Sequence, residues 1–161
     1  MMKMLSMFLG ITCALAILAQ DGMVNVRDYG APGDGTDQTA AIQSAIDYAL
    51  SQTSAISPAN HNGLTWLGAA PTVFLPAGTY KLDGSLSVGN GYVTIKGDNA
   101  ILKPVDSPSD PDAPALVCTS VYRNKVTGLI FVDISCAIEW GSSTRDVGQG
   151  MATIEGCQFV G

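Results

Sequence analysis

The sequence predicts an all-β solenoid, with parallel strands stacked layer on layer and one α-helix closing the first end. Three observations predict it. A β-branched, polar, glycine signature recurs at Ile95-Lys96-Gly97, Val126-Thr127-Gly128 and Ile154-Glu155-Gly156, at spacings of 31 and 28 residues. Self-similarity at a period of roughly 20–50 residues marks stacked-repeat architectures. Helical periodicity occurs once, at Ile42, Ala45, Ile46, Ala49 and Leu50. Charged residues are only 14% of the chain and glycines number 18, as suits many short strands joined by tight turns.

The length of 161 residues fits one domain. Residues 1–19 read as an export signal: Lys3 supplies the positive start, an apolar stretch follows, and Ala14-Leu15-Ala16 or Ala19 offers a cleavage site. The apolar run falls short of the ~20 residues that span a bilayer. No stable membrane span is therefore expected after its removal, and Ile11-Thr12 before Cys13 is a poor lipoprotein signal. The chain is expected to be secreted or otherwise exported, and residues 20–161 to form the folded unit.

Val24-Asn25-Val26 reads as a strand. A turn-rich run with three glycines follows at residues 28–35, and Thr36 or Asp37 can accept from the free amides of a helix start. The stripe Ile42, Ala45, Ile46, Ala49, Leu50 repeats at i, i+3, i+4, i+7, i+8, with Gln43, Ser44 and Asp47 off it. The helix should end near Gln52, with a loop over residues 53–70. Strands are expected at Thr72 to Leu75, stopped by Pro76, and at Gly78 to Leu82. Leu86 and Val88 alternate with serines, as do Val93 and Ile95 with polar residues. Gly97-Asp98-Asn99 reads as a turn. Residues 104–114 hold four prolines and three aspartates, which reads as an exposed loop.

A solenoid exposes an apolar cross-section and unpaired backbone at each end, so an end needs an atypical cap. The lone helix just before the first strands fits that place. Phe159-Val160-Gly161 stops in mid-repeat, from which a truncated chain or an unprotected end is expected.

The run from Val24 to Ile46, with Gly30, Gly33, Asp34, Gly35 and Asp37, resembles the opening signature of the pectate-lyase-like superfamily. Val73 to Tyr80, with Pro76, Gly78 and Tyr80, resembles its second signature, and Val93 to Asp98, with Gly97, its third. The resemblance covers residues 24–103 closely and the remainder loosely. It implies a right-handed, single-stranded parallel β-helix that binds polysaccharide in a groove along one side. The family includes polygalacturonases, rhamnogalacturonases, pectate lyases, exo-glucanases, alginate epimerases and phage tailspikes, so the fold does not fix the activity. It also implies that these motif residues are structural.

Asp34 and Asp37 are the first acids to weigh, because two carboxylates ~5–9.5 Å apart can hydrolyse a glycoside. Their setting in a turn and at a helix start favours capping instead. Asp106, Asp110 and Asp112 have the oxygen ligands calcium takes but lack a glycine-turned ligand loop. Asp133, Glu139, Asp146 and Glu155 form no recognisable acid pair. His61, the single histidine, sits in a polar loop. Arg123, Lys125 and Arg145 could meet acidic sugars, though solvated charge is the plainer role. Trp66 and Trp140 are either sugar platforms or buried rings. Cys118, Cys136 and Cys157 have no C-x-x-C spacing, and read best as small apolar residues in strands.

The formal charge of −6 and the absence of a basic stripe exclude nucleic acid as a partner. No nucleotide-binding loop, nucleophile elbow or zinc-helix motif is present. The chain is expected to hold no catalytic residue, metal or cofactor of its own. The expected parent is an exported glycoside hydrolase or polysaccharide lyase with its chemistry on later coils. The rival is a non-catalytic, tailspike- or adhesin-like β-helix protein that binds polysaccharide.

Overall fold

The computed structural model describes residues 22–54, 70–89, 93–118, 124–141 and 153–161. The elements are β1 (Met23–Asn25), a short 3-10 helix (Val26–Tyr29), β2 (Asp34–Asp37), α1 (Thr39–Ser54), β3 (Thr72–Leu75), β4 (Gly78–Leu82), β5 (Leu86–Val88), β6 (Thr94–Pro104), β7 (Leu116–Cys118), β8 (Lys125–Val132), β9 (Ile138–Trp140), β10 (Thr153–Glu155) and β11 (Gln158–Val160).

Every strand pairing among the described residues is parallel. The pairings fall into recurring columns. Val24, Val73, Ile95, Val126 and Ile154 are successive register partners. Tyr80, Leu102, Phe131 and Phe159 form a second column, and Leu86, Leu116 and Ile138 a third. The three copies of the repeated signature are thus physical neighbours, and the parallel strands with one helix suit a β-helix-family domain.

Alternation explains the core. Along a strand successive side chains face opposite ways, and every second residue is buried in β3, from Thr79 to Leu82 in β4, and in β6 on either side of Asp98 and Asn99. Val73, Leu75, Tyr80, Leu82, Ile95, Ala100 and Leu102 fill one continuous interior with Leu116, Val126, Leu129 and Phe131. Each such aliphatic or aromatic side chain contributes about 1.5–3 kcal/mol through removal from water.

Helix α1 buries the stripe read from the sequence, Ile42, Ala45, Ile46 and Ala49, with Leu50 packed at its margin. It rests on the 3-10 helix, β1, β3 and β5. Its polar face also has a task. Ser87 of β5 donates its backbone N–H to Gln43 Oε1 at 2.8 Å, and Gln43 Nε2 donates to Ser87 O at 3.0 Å. The side-chain amide therefore takes the place of a neighbouring strand on the edge of β5.

Four boundaries depart from the sequence reading. Val26 is the first residue of the 3-10 helix, because Asn25 Oδ1 accepts from Arg27 N at 3.0 Å and turns the chain. Asp34–Asp37 is a strand paired with β4 rather than part of a turn. Its polar residues carry no β signal, and the pairing comes from backbone hydrogen bonds. The helix runs to Ser54. Gly97-Asp98-Asn99 does not end a strand; β6 continues through it with a shift of register between Lys96 and Ala100.

That bend is a glycine contact between layers. Gly128 has φ +67°, and a Cβ there would collide with the carbonyl oxygen of Gly97. A Cβ on Gly97 would in turn lie 2.6 Å from Gly128 O. The two backbones touch where the strands bend, and only glycine leaves room.

Candidate functional site

The three signature segments meet in space and hold one another. Gly33, with φ +79°, lies under the Tyr80 ring, where an added Cβ would come within 2.9 Å. Tyr80 is fully buried and donates its hydroxyl to Pro76 O at 2.8 Å. Burial raises its pKa, outweighing the nearby Arg27 charge. Gly78 abuts Gly33 O, at 2.7 Å from a built Cβ, and Thr79 N donates to Gly33 O at 2.9 Å. Arg27 Nη2 reaches Ala77 O at 2.9 Å. Gly30 closes the 3-10 helix in a left-handed conformation.

The two acids of this region are turned inward on their own loop. Asp34 Oδ1 accepts from Thr36 Oγ1 at 2.7 Å, Thr36 N at 3.1 Å and Gln38 Nε2 at 2.7 Å. Asp37 Oδ1 accepts from Thr39 Oγ1 at 2.6 Å and Thr39 N at 3.0 Å. Hydrogen bonds from Thr36 and Thr39 respectively hold both carboxyls below their ordinary range. Groups so stabilised as anions are poor general acids at neutral pH. Asp37 binds the first amide of α1, as its place at a helix start suggested, whereas Asp34 holds Thr36 and the Gln38 side chain and meets no helix amide.

The remaining acids are scattered. Asp106 accepts from Lys81 Nζ at 2.7 Å. Asp110 Oδ1 accepts from Asp112 N at 3.0 Å within its own loop. Asp133 and Glu139 are exposed, and Glu155 pairs with Lys125 at 2.5 Å. Asp83 pins the loop after β6, accepting from Ser109 N at 2.6 Å and Ser109 Oγ at 2.9 Å. No group of three or more metal-ligating side chains occurs among the described residues. The hollow between this loop and the turn after β8, lined by Leu82, Pro104, Asp110, Pro111, Asp133 and Ile134, has a volume near 20 Å³. That admits about one water, not a sugar.

Trp140 is in register with Cys118 and packs against the core, so it is not presented as an open sugar platform. Cys118, Cys136 and Cys157 are free thiols. Burial pushes Cys118 up to about 11, which leaves it unreactive. Residues 1–19 with Cys13, together with His61, Trp66, Arg123, Arg145 and Asp146, lie outside the described residues. No described helix is long and apolar enough to cross a membrane.

Two buried polar side chains went unread in the sequence. Gln38 accepts from Gly33 N at 3.0 Å through Oε1 while donating to Asp34. Asn124 Oδ1 accepts from Val93 N at 3.1 Å. The partner of Asn124 stands 31 residues away, and no local pattern announces it.

Residues 23–132 match the family described as rhamnogalacturonase A/epimerase, pectate lyase-like. The chain is 40% identical over 121 residues to the mannuronan C5-epimerase AlgE5 of Azotobacter vinelandii, covering 69% of this chain and 10% of that protein. It is 29% identical over 142 residues to AlgE1, another mannuronan C5-epimerase of that organism, covering 82% of this chain and 8% of the relative. It is 31% identical over 135 residues to alginate lyase 7 of the same organism, covering 83% and 13%. The chain thus spans about a tenth of the length of these relatives.

Proposed function

Because the chain belongs to the rhamnogalacturonase A/epimerase, pectate lyase-like family, we propose that it is the opening part of an exported enzyme that modifies a polyuronate. On this reading its strands wind as a right-handed parallel β-helix, and residues 1–19 direct its export. The observation that carries the reading is the 40% identity to a mannuronan C5-epimerase, alongside similarity to an alginate lyase.

The two relatives' names point to one kind of chemistry on one kind of sugar. In a uronate residue the most acidic carbon-bound hydrogen lies beside the carboxylate, on C5. A base removes that proton. Returning a proton from the opposite face inverts C5. Expelling the glycosidic oxygen instead leaves a carbon–carbon double bond and breaks the chain. Inversion or elimination thus replaces hydrolysis as the favoured reaction. The described residues of this chain build the cap and first strands, and the base belongs on strands that follow. The arrangement of Asp34 and Asp37 supports this, since both are engaged as anions by their own segment, Asp34 with Thr36 and Gln38 and Asp37 with Thr39.

The test compares the 161-residue chain with the complete gene product on polymannuronate. Proton NMR reads C5 inversion, and ultraviolet absorbance reads the new double bond. Either product from the complete protein and none from the short chain is expected. Turnover by the short chain would overturn the placement of the base. Neither product from the complete protein would overturn the activity.

A further inference from the structure

The pairing of β4 with β6 ends on Leu82 and Pro104, and proline has no N–H to carry the ladder further. The chain that follows stays tied to the same stretch by other bonds. Val105 N donates to Leu82 O at 3.0 Å and Lys81 Nζ to Asp106 at 2.7 Å. Ser109 gives both its N–H and its hydroxyl to the carboxylate of Asp83. Asp83 is held at its other end as well. Its backbone N–H donates to Thr39 Oγ1 at 2.8 Å, at the first residue of α1. A threonine hydroxyl has one proton to give and lone pairs with which to accept. The proton goes to Asp37 Oδ1 at 2.6 Å, which leaves the oxygen free to accept from Asp83. Every bond in the run thus has a fixed donor and a fixed acceptor.

These bonds cross the stack. Strand β2 pairs with β4, and β4 with β6, so Asp37, Asp83 and Ser109 belong to three successive layers. Thr39 grips Asp83 by its backbone and Ser109 grips it by its carboxylate. The side chain between those two points is short, so a shift of the Asp83 backbone displaces the oxygens that hold Ser109. We infer that Thr39, Asp83 and Ser109 form a strap that couples the start of α1 to the loop after β6, so that the first and third layers loosen together at this corner. Folded chains open locally in cooperative units of this kind. Coupling between two sites acts equally in both directions, so whatever steadies the loop also steadies the cap. The strap stands on these bonds and not on the proposed activity.

The experiment is amide hydrogen exchange of the purified chain, read by NMR. Thr39→Val keeps the shape of the side chain and removes its hydroxyl. It should speed exchange of the Ser109 N–H about fivefold, the lower end of couplings between sites. Thr39→Ser keeps the hydroxyl and should leave that amide as it is in the wild type. Ser44→Ala removes another hydroxyl of α1, bonded only within the helix to Ala40 O, and should leave it unchanged too. In the reverse direction, Ser109→Ala should speed exchange of the Thr39 N–H by the same factor. A Ser109 amide indifferent to Thr39→Val, or sped equally by Thr39→Ser or Ser44→Ala, would overturn the strap. Ser109 is exposed, so Ser109→Ala folds whether or not Thr39→Val does. An unmoved Thr39 amide in that variant would overturn the strap by itself.

Discussion

The layer under α1 and the layer of β10 and β11 differ more than their sequences do. At the α1 end Ile42 is 1% exposed and the edge of β5 is closed by Gln43. On β10 and β11 of the 161-residue chain, Ile154 is 49% exposed and Phe159 60%. Yet Ile154 is the register partner of Val126, which is 1% exposed, and Phe159 stacks on Phe131 at 5.3 Å between ring centroids. The same residue types in the same columns are core in one layer and surface in the next. Burial here is conferred by the neighbouring layer, so stability should behave as a sum of nearest-neighbour contacts.

Matched substitutions at the two ends test that most sharply. Ile42→Asp places an unpaired carboxylate under α1 and should cost more than about 4 kcal/mol, enough to abolish cooperative melting and leave aggregate. Ile154→Asp, on a half-exposed position, should cost within about 1 kcal/mol. Thermal melting and sedimentation read both. Equal effects would break the contrast between the ends.

The edge closure gives a smaller, separate effect. Gln43→Ala leaves the exposed Ser87 N–H and C=O to water in place of their side-chain partner and should cost about 0.5–1.5 kcal/mol by denaturant midpoint. Ser44→Ala, which removes only a bond back to Ala40 O within the helix, should change the midpoint by about 0.5 kcal/mol or less. If the two variants matched, Gln43 would be a surface residue and α1 a purely apolar cover.

What the sequence made legible follows the same division. The stripe of α1 and the repeated β-branched, polar, glycine segments were readable, because local periodicity and self-similarity report which face meets a neighbour. The recurrence at Ile95, Val126 and Ile154 is the register itself. Strand β2 was not readable, since Asp34 to Asp37 has no alternation and owes its form to β4. Gln43 was assigned to the solvent face by its position in the stripe, and its partner Ser87 stands 44 residues away. The bend at Gly97 looked like a strand end because glycine signals a break, while the contact that demands it belongs to Gly128 in the next layer. For the candidate site, the capping role of Asp37 was legible from its place before a helix, while the bond from Gln38 to Asp34 was not. Nor was the tie from Thr39 through Asp83 to Ser109, because it exists only through the register of β4 on its neighbours.

The smallest effect separates the ends by the origin of their acid sensitivity. Asp37, beside α1, is held below the ordinary carboxylate range by hydrogen bonds from Thr39. Glu155, on β10, is held low by the Lys125 bond and charge. In both cases the folded state keeps the carboxyl ionised where the unfolded chain takes up a proton. The stabilisation is therefore complete above the ordinary carboxylate range, and is lost as pH falls from that range through the lowered folded value. Ion pairs at an exposed surface are screened by salt, whereas short hydrogen bonds from an adjacent residue are not. Asp37→Asn should flatten the acid limb of melting temperature against pH at both low and high salt. Glu155→Gln should flatten it at low salt alone. A salt-sensitive effect of Asp37→Asn would mean that long-range charge, rather than the local bonds of the helix start, tunes the capped end.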